Sequence, residues 1–219
     1  EWSALPEYGW PSPNSNLKSA CLNSSYQQFM IWCVNGIINK LGFDGVYTDA
    51  TAVPCDNELH GCGYMGRDGK RHTDLNMLAT RSFVKRMYNI LKEDGKDRIN
   101  FSHSGESTST AGFVDARTHG EELCQEDLAH YRRLSPDYFR AKYAENEYGV
   151  PYTFQAVFHY KWRAIGEPVS INEMLMMCLV HRTMPTLAYD LELVPVWKVF
   201  DPWWTSATFI PYWHDDAPV

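Results

Sequence analysis

Several common sequence features are missing from this chain, and each absence narrows the range of functions. Lys and Arg number 20 against 27 Asp and Glu, which gives a formal charge of −7, and no basic cluster is present. Nucleic-acid partners are therefore disfavoured, because a polyanion binds to concentrated positive charge. No stretch approaches the run of about 18 apolar residues that a membrane helix requires, so no membrane partner is expected.

Sequence motifs for nucleotide and metal chemistry are also missing. Gly61-Cys62-Gly63 is neither a P-loop nor a dinucleotide fingerprint, since both place their glycines between a strand and a helix. The histidines form no His-x-His or His-Glu-x-x-His cluster. A metal-dependent hydrolase built on His60, His72 and His103 with carboxylates is thus the last of three functional alternatives, and no cofactor is expected.

Aromatic residues, in contrast, are plentiful, at 14% of the chain with 8 Trp and 13 Tyr. Flat amphipathic rings suit a sugar-binding cleft, because the apolar C–H faces of a sugar pack on the ring while its polar groups stay hydrated. The alternative is that these rings fill a large core. Several lie in segments without a helical core pattern: Trp2, Tyr8, Trp10, Trp203, Trp204, Tyr212 and Trp213.

Hydrophobic periodicity predicts alternating helices and strands. Helices are expected at about 17–41, 73–92, 135–149, 171–182 and 194–200, and strands at 43–49, 98–103, 112–117, 150–158 and 186–190. The inner stripe of the second predicted helix consists of Leu75, Leu78, Val84, Met87 and Leu91.

This alternation, without hairpin signals, favours parallel strands with helical crossovers and therefore the α/β class. We expect a single domain with the (β/α)8 TIM-like barrel fold; a doubly wound open sheet is the structural alternative. A closed barrel takes about 250 residues, so the 219 residues predict a barrel that is incomplete in this chain and completed within a longer multidomain protein.

Two predicted strands are followed by carboxylates. Asp49 ends the first strand, where reacting groups of barrel enzymes lie, although it can also cap the following turn. Glu121 and Glu122 follow the third strand, close to Arg117 and His119. Glycosidic bond hydrolysis commonly uses two carboxyl groups, which Asp49 and one of these glutamates can supply. The alternative is that both glutamates form the acidic first turn of a helix.

A histidine ends the second of these strands. His103 can donate a hydrogen bond to substrate or tune a neighbouring carboxylate, or it can be a structural group. Asp44, at the entrance of the first strand, is expected on the opposite face and is not a candidate. The predicted substrate-binding residues are His103, Tyr47, Arg117, His60, Trp203 and Trp204.

Six cysteines raise the question of disulfides and metals. Cys21 and Cys33 lie 12 positions apart on the first predicted helix, about 18 Å, which is too far to bridge and indicates core positions. Cys55 and Cys62 flank a loop that contains His60. A Cys55–Cys62 disulfide is favoured and indicates a secreted or periplasmic protein. The alternatives are free thiols or a zinc site, for which the sequence shows no fourth ligand.

Five segments carry a resemblance to a known family: 42–49 (GFDGVYTD), 54–64 (PCDNELHGCGY), 81–88, His103-Ser104 and Gly120-Glu121. Together they resemble the uncharacterised glycoside-hydrolase-like barrel domains related to glycoside hydrolase family 123, over about 42–160 and most strongly at 54–64. The resemblance implies a (β/α) barrel, an adjoining β-sandwich in the intact protein and a polysaccharide or glycan substrate.

The resemblance also bears on mechanism. In family 123, neighbouring Asp and Glu residues support attack by the acetamido group of the substrate, whereas the adjacent pair here is Glu121-Glu122. The first strand is similar to the nucleophile strand of α-galactosidase-like barrels, which implies that Asp49 is the nucleophile. We therefore predict a glycoside hydrolase with Asp49 as nucleophile and Glu121 as acid, about 5–5.5 Å apart. A non-catalytic glycan-binding barrel is the alternative.

Overall fold

The computed structural model describes residues 1–4, 19–49, 53–103, 108–120, 135–143, 149–154 and 171–185, with residues 195, 198–199, 202 and 206–217 near the C-terminus. The helices in these ranges are α1 (Tyr26–Leu41), α2 (Met77–Lys92), α3 (Pro136–Tyr143) and α4 (Ile171–Val180). The strands are β1 (Gly45–Asp49), β2 (Tyr64–Met65), β3 (Arg71–His72), β4 (Ile99–His103), β5 (Ala116–His119), β6 (Tyr152–Phe154) and β7 (Met184–Pro185).

The main sheet confirms the predicted α/β class. β1 pairs with β4, β5 with β6, and β6 with β7, in each case in parallel. The strand order is β1-β4-β5-β6-β7, and the described strands form an open sheet. β2 and β3 form a short antiparallel hairpin in a segment where the sequence showed no hairpin signal and no strand was predicted. Contacts along the chain divide it into two compact units, 1–115 and 116–219.

The first helix begins at Tyr26, and the prediction of a start near Leu17 is wrong for residues 19–25. The Ser24 hydroxyl donates to the Cys21 carbonyl at 2.6 Å and accepts from the Tyr26 N–H at 3.2 Å, which closes a turn before the helix. Cys21 therefore precedes α1 instead of lying within it. The helix ends as predicted at Gly42, whose φ of 74° is the left-handed value that glycine favours at a helix C-terminus.

The second helix begins at Met77, because Asn76 has a left-handed φ of 47° that a continuous helix does not contain. The helix therefore does not reach back to Thr73, the predicted cap. Leu75 and Leu78, predicted on the inner stripe, are instead 48% and 84% exposed. The buried face includes three residues that were predicted correctly and three that were not: Val84, Met87 and Leu91, with Ala79, Thr80 and Phe83.

The third predicted strand, 112–117, is displaced towards the C-terminus, since residues 111–113 form a 3-10 turn and β5 starts at Ala116. Asn100 fixes this segment: its side-chain amide donates to the Phe113 carbonyl at 2.7 Å and its N–H donates to the Asp115 carboxylate at 2.8 Å. These hydrogen bonds hold residues 113–115 in the turn that precedes β5.

No helix in the described ranges is long and apolar enough to cross a membrane.

The remaining predicted elements agree in part with the structure. α3 starts at Pro136 as predicted, at the first helical position, where proline loses no intrahelical hydrogen bond. The fourth predicted strand, 150–158, is represented by β6, and α4 ends at Val180, before Arg182 adopts a φ of 53°. The predicted strand at 186–190 lies outside the described residues, as does most of the predicted helix at 194–200.

Candidate functional site

Two of the predicted site residues meet where β1 and β4 end. Asp49 is the last residue of β1, His103 is the last residue of β4, and the two are partners in the strand register. Because the strands are parallel, both side chains lie at the carboxyl edge of the pair. Nδ1 of His103 is 3.2 Å from Oδ1 of Asp49. The predicted positions of both residues at strand ends are therefore confirmed.

The two partners differ strongly in exposure. The Asp49 side chain is 61% exposed, whereas that of His103 is only 5% exposed. The imidazole is thus fixed within the protein, and the carboxylate beside it is accessible to a ligand.

Two aromatic rings lie on the same face of the strands as this pair. Tyr47 and Phe101 precede Asp49 and His103 by two residues, and side chains two apart on a strand point to the same side. The Tyr47 ring lies 5.5 Å from that of Phe101 and 6.1 Å from the His103 imidazole. Tyr47 is 52% exposed. We call Asp49, His103, Tyr47 and Phe101 the β1–β4 edge.

Other predicted site residues fall in the second unit or outside the described ranges. Arg117 is fully buried in β5, and its N–H donates to the Pro151 carbonyl at 3.0 Å. His119 ends β5 and stacks on Tyr152 with ring centroids 5.4 Å apart. Glu121, Glu122, Trp203 and Trp204 lie outside the described residues, so the predicted Asp49–Glu121 separation stays a prediction.

His60 is placed with three cysteines. The Sγ atoms of Cys21 and Cys62 are 3.3 Å apart, and the ligand atoms of Cys21, Cys55 and His60 lie within 4.8 Å of one another. The cysteines of this group, which we call the thiol cluster, are buried and form no disulfide. The favoured Cys55–Cys62 disulfide is therefore not formed. Cys21, interpreted from the sequence as helix core, is the group that the sequence analysis missed.

Burial changes the acidity of the thiols in the thiol cluster. Burial raises the pKa of the Cys21 thiol to about 12, and burial also raises the pKa of Cys62. Thiols with raised pKa values are protonated at neutral pH and react slowly, because the nucleophile is the thiolate. A thiol-based active site is therefore not supported here, and the β1–β4 edge is the candidate for chemistry.

The chain matches no known protein-family model and no curated protein sequence. Its class is therefore defined by the fold alone: an α/β protein with a parallel sheet that carries an aspartate and a histidine on neighbouring strand ends.

Proposed function

We propose that this chain is the catalytic part of a glycoside hydrolase, with an incomplete (β/α)8 barrel as its fold and Asp49 as its reacting carboxylate. One observation carries the proposal: an exposed carboxylate stands 3.2 Å from a buried imidazole at the carboxyl ends of neighbouring parallel strands. In parallel α/β barrels, reacting groups occupy this position because the strand fixes them while the following loops form the pocket.

The β1–β4 edge also provides a surface for a sugar. Tyr47 presents a half-exposed ring next to Asp49, backed by the ring of Phe101. A pyranose packs its C–H face on such a ring and directs its hydroxyl groups to polar neighbours such as the Asp49 carboxylate. The substrate class is accordingly a polysaccharide or other glycan. The secreted or periplasmic location stays a prediction that has lost its first support, because the Cys55–Cys62 disulfide that indicated it is not formed.

The proposed reaction proceeds in two displacements. Asp49 attacks the anomeric carbon and forms an ester bond to it, while the acid, Glu121 or Glu122, gives its proton to the departing glycosidic oxygen. Water then attacks the same carbon and gives its proton to that glutamate, and the ester bond breaks to restore the Asp49 carboxylate. His103, whose buried ring places Nδ1 3.2 Å from Oδ1 of Asp49, positions this carboxylate before the first step.

The experiment is hydrolysis of a panel of aryl glycosides and natural glycans by the parent protein and by Asp49→Asn. Turnover should fall by at least ~100-fold, since the amide is a poor nucleophile. Asp44→Asn is the matched control, because it makes the same change one residue before β1 and should leave turnover unchanged. The released sugar, followed by anomer-resolved NMR, should retain its configuration.

Three outcomes contradict or redirect the proposal. Full activity of Asp49→Asn removes Asp49 from the reaction, and an inverted product removes it as the nucleophile. A parent protein that binds glycans, hydrolyses none and keeps its affinity in Asp49→Asn is the alternative, a non-catalytic glycan-binding barrel. The exposed ring of Tyr47 favours binding in both cases, so affinity alone does not distinguish the two functions.

A further inference from the structure

Three thiols and one imidazole converge outside the β1–β4 edge. The Sγ atom of Cys21 lies 3.3 Å from that of Cys62, and both thiols contact the Cys55 thiol. Cys21, Cys55 and a ring nitrogen of His60 are mutually within 4.8 Å. Four donors at the corners of a tetrahedral zinc site, with Zn–S bonds of about 2.3 Å, are spaced about 3.8 Å apart. Cys21, Cys55 and His60 are close to this spacing, and Cys62, 3.3 Å from Cys21, lies beside them without belonging to the set that is mutually within 4.8 Å.

One ring nitrogen of His60 is available to the cluster. Its Nε2 is 2.8 Å from the Glu1 carbonyl oxygen, and because a carbonyl only accepts, Nε2 carries the proton. Nδ1 of the neutral ring is then a bare lone pair. It is buried and has no hydrogen-bond partner among the described residues. Histidines that bind metals typically donate their other N–H to a carbonyl or carboxylate in this way.

The sulfur atoms are also arranged as metal-bound thiolates are. The Cys21 sulfur accepts a hydrogen bond from the backbone N–H of Asn23, and the Cys55 sulfur accepts one from that of Asn57 at 3.4 Å. In both cases the donor lies two residues further along the chain. The Asn23 side-chain amide donates to Cys62 at 3.6 Å. N–H donors directed at sulfur stabilise negative charge there, and such outer contacts fix the ligands of a metal.

From these contacts we propose that Cys21, Cys55, His60 and Cys62 bind one zinc ion in a structural Cys3His site. Binding forms three Zn–S bonds and one Zn–N bond and releases the three thiol protons to solvent. The residues fit zinc because soft thiolates with an imidazole select it over Mg²⁺ or Ca²⁺. Four protein ligands leave no position for substrate, so the role is structural.

The site would join three parts of the first unit that are distant in sequence. Cys21 lies in the turn before α1, and Cys55, His60 and Cys62 lie in the loop after β1. Gly61 and Gly63, with φ of 69° and 75°, allow the tight turn that brings His60 and Cys62 together. Through its bond to Glu1, His60 also holds the N-terminal segment. The proposal is independent of the hydrolase function.

The test measures the zinc content of the chain by plasma mass spectrometry. The protein is first purified under reducing conditions, supplied with ZnCl2 and dialysed. We expect one zinc per chain in the parent and a loss of at least ~90% in Cys55→Ser. His60→Ala should bind more weakly, and His60→Cys should restore one zinc because it again offers four ligands. Cys33→Ser, a change of a thiol on α1 outside the cluster, is the control and should keep its zinc.

Cobalt can replace zinc as a spectroscopic probe, and its absorption bands report the identity of the ligands directly. Co²⁺ added to the reduced parent should give the intense visible bands of a tetrahedral thiolate site, and His60→Cys should increase the sulfur-to-metal absorption. Zinc that stays in Cys55→Ser and Cys62→Ser alike would be adventitious and would overturn the proposal. So would a reduced parent that binds no zinc, or a Cys21–Cys62 disulfide found by mass spectrometry in the protein as isolated from cells without added reductant.

Discussion

At the residue scale, three histidines differ in which ring nitrogen lies beside a polar partner. His60 donates from Nε2 to a carbonyl, which leaves Nδ1 for the thiol cluster. His103 has its Nδ1 3.2 Å from Oδ1 of Asp49 at the β1–β4 edge. His181, just after α4, has its Nδ1 2.8 Å from the Met177 carbonyl, to which it donates. The same residue type thus has three environments, each defined by the polar group beside one ring nitrogen.

His181 should make stability depend on pH. Burial lowers the pKa of His181, and the nearby charge of Arg140 lowers this pKa further, while its hydrogen bond to Met177 opposes the shift. Above the unfolded pKa of about 6.5 the contribution to stability is fully present. As pH falls below that value, the unfolded chain binds a proton that the folded chain does not, and the free energy of unfolding decreases until the folded pKa is reached.

Urea unfolding at several pH values between 7.5 and 5 measures this effect, with these pH limits chosen to bracket about 6.5. His181→Asn keeps an N–H that can donate to the Met177 carbonyl but removes the titrating ring, so its unfolding free energy should have a smaller pH slope. The variant is expected to be less stable at every pH, and the slope is therefore the decisive quantity. Equal slopes in parent and variant would assign the pH dependence to other groups.

Local sequence patterns allowed some site residues to be predicted and concealed others. Asp49 and His103 were each predicted at a strand end, and they are adjacent because the two strands pair in parallel and align their carboxyl ends. Cys21 was missed because its partner Cys62 is 41 residues away and no short motif joins them. Apolar spacing also extended the predicted helix over Cys21, whereas the Ser24 hydroxyl closes a turn there.

At the scale of elements, the two long helices pack through polar as well as apolar contacts. The buried Gln27 amide of α1 donates to the Ala79 carbonyl of α2 at 3.0 Å, and its oxygen accepts from Arg86 at 2.9 Å. Periodicity placed both helices correctly towards their C-terminal ends. Their N-termini were not predictable in this way, because hydrogen bonds of single polar residues such as Ser24 decide where a helix starts.

The buried face of α2 gives a prediction for this element. Met87 is 1% exposed, so Met87→Ala should lower the free energy of unfolding by about 2–5 kcal/mol through lost burial and the cavity that remains. Leu78→Ala on the same helix is the matched control, since Leu78 is 84% exposed and should change stability by less than about 0.5 kcal/mol. Chemical denaturation measures both. Equal losses would contradict the observed orientation of α2.

At the scale of the whole molecule, the prediction of a single domain implies that the whole chain unfolds cooperatively. The chain has two compact units that meet in sequence at Asp115 and Ala116. Boundaries between independent domains usually fall in exposed, flexible linkers. Here Val114 is 7% exposed and Arg117 is fully buried, so this stretch has no linker character. We therefore expect the two units to unfold together.

Cys178 reports on this cooperativity, because it lies in the second unit, is fully buried, and has a thiol pKa raised by burial. It should react with a thiol reagent only when that unit opens. Met87→Ala acts in the first unit. If the chain is one domain, this variant should lower the urea midpoint of Cys178 labelling and that of far-UV circular dichroism equally, on the order of 1 M.

Peptide-resolved mass spectrometry after pulse labelling separates Cys178 from the other thiols. Leu78→Ala should leave both midpoints in place, which controls for effects of mutation in α2 as such. A Cys178 midpoint that stays at the parent value in Met87→Ala, while the dichroism transition broadens or divides, would mean that the second unit unfolds independently. The chain would then contain two domains, and the single-barrel prediction would be wrong.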